Sequence, residues 1–159
     1  KMAYLGNFGH NGEEAFWGLG VNSKMSEFHA ALGLCVLPDI KTIISGRRKT
    51  VEQYDNFLKT ESSLATMKIA KNVTHNYAYY PILLHSEEAL LKVRKALNDA
   101  NIYPRRYFFP SLNKLPYLSE TDRVPIAESI SSRILCLPIS SEQSTEQTAR
   151  ICSINLEDL

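Results

Sequence analysis

All seven glycines of this 159-residue chain fall within its first 46 residues, and all seven prolines lie at Pro38 or beyond. Glycine reaches positive φ freely and lets two backbones approach closely, but it weakens regular helices and strands. The chain therefore divides into a loop-rich opening stretch and a longer remainder free to build glycine-poor elements. A mass of 18.0 kDa fits one ordinary domain, or one domain with a piece of another.

The remainder alternates helical and extended patterns. Pro38 suits a helix start, and Ile40, Ile43, Ile44, Val51, Tyr54 and Leu58 follow at helical spacing. Residues 76–84, NYAYYPILL, read as a strand, with Pro81 marking an edge strand or a strand end. Ser86 caps a helix whose stripe is Leu90, Val93, Leu97 and Ala100. Residues 102–109 read as a strand running into a loop, 115–125 as loop, 126–130 as a short helix, and 134–137 as a short strand ended by Pro138. Ser144 with Gln147 fits a capping box opening a last helix with the stripe Ala149, Cys152, Leu156 and Leu159. This order predicts an α/β (α+β) fold, a small sheet with helices packed on it.

Composition narrows the function classes. Hydrophobic residues at 44% and charged residues at 22% support a packed core. A formal charge of +1 supplies no drive toward nucleic acid or anionic lipid. The longest strictly apolar run, Ala30 to Leu37, is far short of the roughly 20 residues of a membrane span. The first residues, KMAY, show no signal-peptide apolar region. Three widely spaced cysteines form no CxxC motif, and a reduced, cytoplasmic setting is the expectation. Neither partner expected by charge alone, nucleic acid or membrane, is predicted.

The local motifs say more. Residues 6–10, GNFGH, are followed by 20–35, GVNSKMSEFHAALGLC. This pairing closely resembles the signature of the DegT/DnrJ-type sugar-nucleotide aminotransferases, roughly N-x-G-[HR] followed by G-x-N-x-[KR]-M-S-E-x-x-A-A-x-G. Gly20, Asn22, Lys24, Met25, Ser26, Glu27, Ala30, Ala31 and Gly33 match. Residues 104–117, PRRYFFPSLNKLPY, resemble a loop that members place near the sugar nucleotide. Ala127-Glu128 followed by RILCLP at 133–138 resembles the family's closing segment.

The resemblance implies a fold type I enzyme dependent on pyridoxal 5'-phosphate, and a cytoplasmic homodimer. It implies transfer of an amino group from an amino acid, commonly glutamate, to a nucleotide-linked keto-deoxysugar. The family's Schiff-base lysine sits upstream of these motifs, so no catalytic residue is expected within this chain. The implied domains are residues 1–37, a tail of the large domain, and residues 38–159, the C-terminal small α/β domain.

By the same resemblance Asn22 contacts the cofactor phosphate of the neighbouring subunit, with Lys24 a cation beside it. On residue pattern alone, Asn22 equally serves a turn and Lys24 a solvated surface. Arg106 and Tyr107 are the substrate-side candidates, a guanidinium fork and a phenol suited to a diphosphate. Arg105 ranks below Arg106, because adjacent strand residues face opposite ways; the plain alternative is a solvated charge pair. His10 belongs to the GNFGH motif and is placed near substrate, though a lone histidine is more often structural. Ser26-Glu27 opens a helix whose Phe28, Ala30, Ala31 and Leu34 are read as core packing.

Three functional classes stay open. One is an aminotransferase C-terminal part, inactive alone, or a dehydratase relative. Another is half of a split enzyme completed in trans. The third is a non-catalytic interaction module retaining the small-domain fold. If the large domain is absent, Phe8, Trp17, Phe28 and Leu34 are expected to be exposed or covered by a dimer.

Overall fold

The computed structural model describes residues 2–23, 25–118 and 122–154. The chain forms two compact units, one from residues up to Pro38 with Phe108–Ser132, the other from Asp39–Tyr107 with the residues after Ser132. Residues 108–132 group with the opening stretch. Phe108, at φ 53, turns the backbone out of the extended run that ends at Tyr107.

The second unit carries the sheet. Strands β1 (Leu64–Thr66), β2 (Tyr80–Leu84) and β3 (Ile134–Leu137) are antiparallel in the order β1-β2-β3. Its helices are α3 (Ile40–Phe57), α4 (Glu87–Asp99) and α6 (Thr145–Ser153). Tyr80, Ile82 and Leu84 alternate into the core, where they meet Leu135 and Leu137 of β3 and Leu90, Val93 and Leu97 of α4. Full burial of each such aliphatic side chain contributes about 1.5–3 kcal/mol. Tyr54 of α3 stacks on Tyr80 with ring centroids 4.6 Å apart, and donates its hydroxyl to Pro138 O at 2.7 Å.

Helix ends follow the expected caps. Ser86 Oγ accepts from Ala89 N, and Ser144 with Gln147 makes both bonds of the capping box. The buried face of α6 is Thr148 and Ile151, with Cys152 half-buried; the expected Leu156 and Leu159 lie outside the described residues. Thr148 turns inward because Gln53 and Gln143 satisfy its hydroxyl. A Cβ on Gly46 would fall 2.3 Å from Ser141 O, so α3 touches the loop before α6 backbone to backbone.

Three readings need correction. The strand expected over 76–84 starts only at Tyr80, after Tyr77 takes φ 51. The extended stretch at 102–109 forms a single bridge, Arg105 to Cys136, and no strand. Pro81 sits in the central strand, which overturns the edge alternative, but it is the second residue of β2, next to the strand end that is the other alternative. It is tolerated there because its partner Cys136 exchanges both backbone hydrogen bonds with Arg105, so the Pro81–Cys136 pair is of the non-hydrogen-bonded kind. The Pro81 nitrogen therefore faces away from β3, on the side where β1 has already ended at Thr66, the partner of Ile82.

The first unit holds α1 (Met2–Leu5), α2 (Glu27–Val36) and α5 (Pro125–Arg133, whose last residue belongs to the second unit). Ser26 caps α2, its Oγ accepting from His29 N. No described residue of α2 is buried: Phe28 is 88% and Leu34 70% exposed, and Trp17 is 65% exposed. The core-packing reading of this helix is therefore overturned within the chain itself.

The helical run Glu27–Phe57 is long enough, and over one 18-residue window (mean hydropathy 1.3) apolar enough, to cross a membrane by length and composition. Its later part carries Arg47, Arg48, Lys49, Glu52 and Asp55 and buries Thr50 and Tyr54 in the protein core. That makes it an ordinary amphipathic helix in its second half.

Candidate functional site

The glycines of the opening stretch build a backbone crossing. A Cβ on Gly9, at φ +78, would fall 1.8 Å from Gly18 O, and one on Gly20 would fall 2.1 Å from Gly9 N. Phe8 N donates to Val21 O, Trp17 N to Gly9 O, and Ser23 N to Gly6 O. Residues 6–23 are thus a hydrogen-bonded irregular hairpin, more ordered than a flexible loop.

This hairpin sets two of the expected site residues. Asn22 bridges Asn7 across it and is exposed, so its amide is offered outward from a fixed backbone. His10 hangs from the same scaffold, its N–H donating to Asn7 O at 3.0 Å. Its ring packs on Phe16 at 4.4 Å and meets Phe8 edge-on at 6.2 Å. His10 Nδ1 is buried without a hydrogen-bond partner among the described residues. Lys24 lies outside the described residues.

The second unit holds the other two. Arg106 is 4% exposed, and its Nη2 meets Glu87 Oε1 at 2.5 Å, at the start of α4. Arg105 is the exposed member of the pair. The register explains which of the two faces outward. Leu135 and Leu137 face the core, so Cys136 between them faces the other side of the sheet. Arg105 is directly paired with Cys136 and shares that side, which sends Pro104 and Arg106 inward and Tyr103 and Arg105 outward. The burial of Arg106 and its pairing with Glu87 give it an anchoring place between segment 102–107 and α4.

Tyr107 lies two residues beyond Arg105, half-buried, with the Arg105 guanidinium 4.4 Å from its ring centroid. Tyr79 meets the same ring at 4.7 Å, at an interplanar angle of 66°, and the two hydroxyls are 3.1 Å apart. Burial is the largest cause that holds the Tyr107 phenol above its ordinary pKa. Burial likewise pushes the Cys136 thiol up to about 11, so it is no thiolate nucleophile at neutral pH.

Sequence reasoning named Arg105 but ranked it below Arg106, and it missed the roles of Tyr79, Asn7 and Glu87. Strand alternation was the available signal for Arg105, but its phase depended on a pairing with β3 that no local pattern encodes.

All eight described lysines, from Lys41 to Lys114, are exposed. No group of three or more His, Cys, Asp or Glu able to hold a metal ion occurs among the described residues. A further cleft of about 600 Å³ lies between Asn101–Tyr103 and Pro138–Ile151. Its Gln143, Gln147 and Arg150 are already engaged, with Tyr54 and Thr148, with Ser144, and with Ala100 O.

The pattern of the DegT/DnrJ/EryC1/StrS aminotransferase family matches residues 1–155. The chain belongs to this family. It is 33% identical over 163 aligned positions to the dTDP-4-amino-4,6-dideoxy-D-glucose transaminase of Escherichia coli, covering 98% of this chain and 44% of that protein. It is 32% identical to the GDP-perosamine synthase of Escherichia coli O157:H7, covering 86% of this chain and 37% of that one. Its fold matches the aminotransferase TlmJ of Streptoalloteichus hindustanus with a TM-score of 0.75 at 20% identity, over 97% of this chain and 42% of that chain. The chain spans less than half the length of these relatives. The fold is therefore the α/β fold of a fold type I aminotransferase, represented here in part, and the family's cofactor is pyridoxal 5'-phosphate.

Proposed function

We propose that this chain is the C-terminal part of a cytoplasmic, homodimeric aminotransferase. The enzyme moves an amino group from an amino acid, glutamate being the expected donor, to a nucleotide-linked keto-deoxysugar. The observation that carries this reading is the relationship to the dTDP-sugar transaminase across 98% of the chain. The exposed apolar residues of α2 and its preceding loop support burial against further protein in the assembled enzyme.

Pyridoxal phosphate supplies the electron sink for amino-group transfer. The residues of this chain fit its phosphate end only. Asn22 offers an exposed amide from a backbone held by Asn7, and the Gly9–Gly20 crossing fixes where that amide stands. Lys24 adds a positive charge two residues on. The lysine that bonds the cofactor needs a desolvated setting for its amine to react at neutral pH. None of the eight described lysines, all exposed, has that setting.

On the substrate side, Arg105 and Tyr107 bind the diphosphate by charge and hydrogen bond. Arg106 holds their segment against α4 through Glu87. His10 shapes the aromatic wall of the opening hairpin, where Phe8 and Phe16 exclude water from one side of its ring.

The test is amino transfer to a nucleotide-linked keto-sugar by the purified chain with added cofactor and glutamate. No turnover alone, and turnover once a polypeptide carrying the lysine is supplied, is the expected result. Full activity of the chain by itself overturns the placement of the lysine. No activity with any lysine-bearing partner favours a non-catalytic module.

A further inference from the structure

We infer that Tyr79 is a positioning residue that fixes Tyr107, and through it Arg105, as a preset edge for the diphosphate of a nucleotide-linked ligand. This rests on the nucleotide-sugar reading above. The register puts all three on one side of the sheet. Arg105 pairs with Cys136, Cys136 pairs with Pro81, and Tyr79 and Tyr107 each stand two residues from a member of that row. Directly paired residues of an antiparallel ladder project to the same side, as do residues two apart.

The group is held from both of its ends. The main chain of Arg105 exchanges two 2.9 Å hydrogen bonds with Cys136, so its Cα cannot drift. Tyr79 directly precedes β2, where Tyr80 is buried with its hydroxyl 2.8 Å from Asp55 Oδ1. Between these fixed points, Tyr107 takes the Tyr79 ring edge-on and the Tyr79 hydroxyl at 3.1 Å, with the Arg105 cation at 4.4 Å from its centroid.

Tyr79 itself is 48% exposed and is not part of the core cluster, so core packing does not account for its contacts. What its contacts do is restrict two rotatable phosphate-binding side chains before ligand arrives. Side chains locked in this way lose less conformational freedom on binding. A guanidinium fork beside the Tyr107 hydroxyl suits the oxygens of a diphosphate, while the Tyr79 hydroxyl is engaged with Tyr107.

The test is titration of thymidine diphosphate into the full chain, labelled on tyrosine rings and arginine side chains, followed by NMR. In the wild type, the Tyr107 and Arg105 signals are expected to shift with ligand. Tyr79→Phe keeps the ring contact and drops the hydroxyl, and is expected to weaken binding about 3- to 10-fold. Tyr79→Ala is expected to weaken it at least as much. In a Tyr107→Phe background, Tyr79→Phe is expected to add no further loss, the coupling that separates positioning through Tyr107 from a general effect on the fold. Equal affinity of wild type and Tyr79→Phe, or additive losses in the double variant, overturns the inference alone. No ligand-dependent shift in the wild type overturns the nucleotide reading and the inference with it.

Discussion

Gly20 approaches Gly9 so closely that a Cβ on Gly20 would stand 2.1 Å from the Gly9 nitrogen. The hairpin carrying Asn22 and His10 closes only because both positions lack side chains. Gly20→Ala must push the two backbone segments apart and break the bonds from Phe8 N to Val21 O and Trp17 N to Gly9 O. The expected outcome is faster hydrogen exchange and proteolysis within residues 6–23, with a stability loss of about 1–3 kcal/mol. Gly12→Ala is the control, since nothing lies within 4 Å of its added Cβ; its φ of +98 leaves only a local backbone penalty.

Arg105 and Arg106 should separate in opposite assays. Arg106→Ala strands Glu87 and opens a gap beside α4. Glu87 keeps 47% of its side chain in solvent, so the expected loss is about 1–3 kcal/mol, below that of a fully buried pair. Arg105→Ala is expected to change stability by less than about 0.5 kcal/mol. Urea unfolding of the two variants checks the order.

Tyr54→Phe removes the donor to Pro138 O and the acceptor used by Gln143, leaving both without that partner in a part-buried setting. About 1–2 kcal/mol of destabilisation is expected, read by chemical denaturation.

Burial, above all other causes, raises the Tyr54 and Tyr80 phenols well above their ordinary value of 10.0. Their folded pKa values exceed the unfolded ones, so this stabilisation is fully present below pH 10.0 and lost as pH rises through the folded values. Equilibrium unfolding followed above pH 10.0 should show falling stability, and Tyr54→Phe should flatten that fall.

Glu128 behaves in the opposite sense. The hydrogen bond from Lys114, then those from Asn113 and Val124 N, hold its carboxyl at about 2, well below 4.5. A depressed folded pKa gives stabilisation that is complete above 4.5 and lost as pH falls toward 2. Glu128→Gln should abolish that acid dependence of the 122–128 segment, measured by hydrogen exchange as a function of pH.

Much of the chain could be read locally. The Ser86 and Ser144 caps, the α4 stripe of Leu90, Val93 and Leu97, and the end of β3 at Pro138 all depend on neighbours a few residues apart. The motif around Asn22 was also local, and it carried the family. The three-residue β1 escaped because Leu64–Thr66 is too short for a period to show. The burial of Thr148 escaped because its partners, Gln53 and Gln143, come from elsewhere in the chain or from a loop.

By itself, then, the amino-acid order determined the main helices, their caps and the family signature, because each is set by interactions between near neighbours. Tertiary structure alone decided that Pro81 could occupy a central strand, that Arg106 turns inward while Arg105 turns out, and that Tyr79 reaches Tyr107. All three follow from the pairing of Cys136 with Pro81 on one side and Arg105 on the other. The side-chain repeat of a strand is two residues, so only the register between distant segments chooses which face each residue takes.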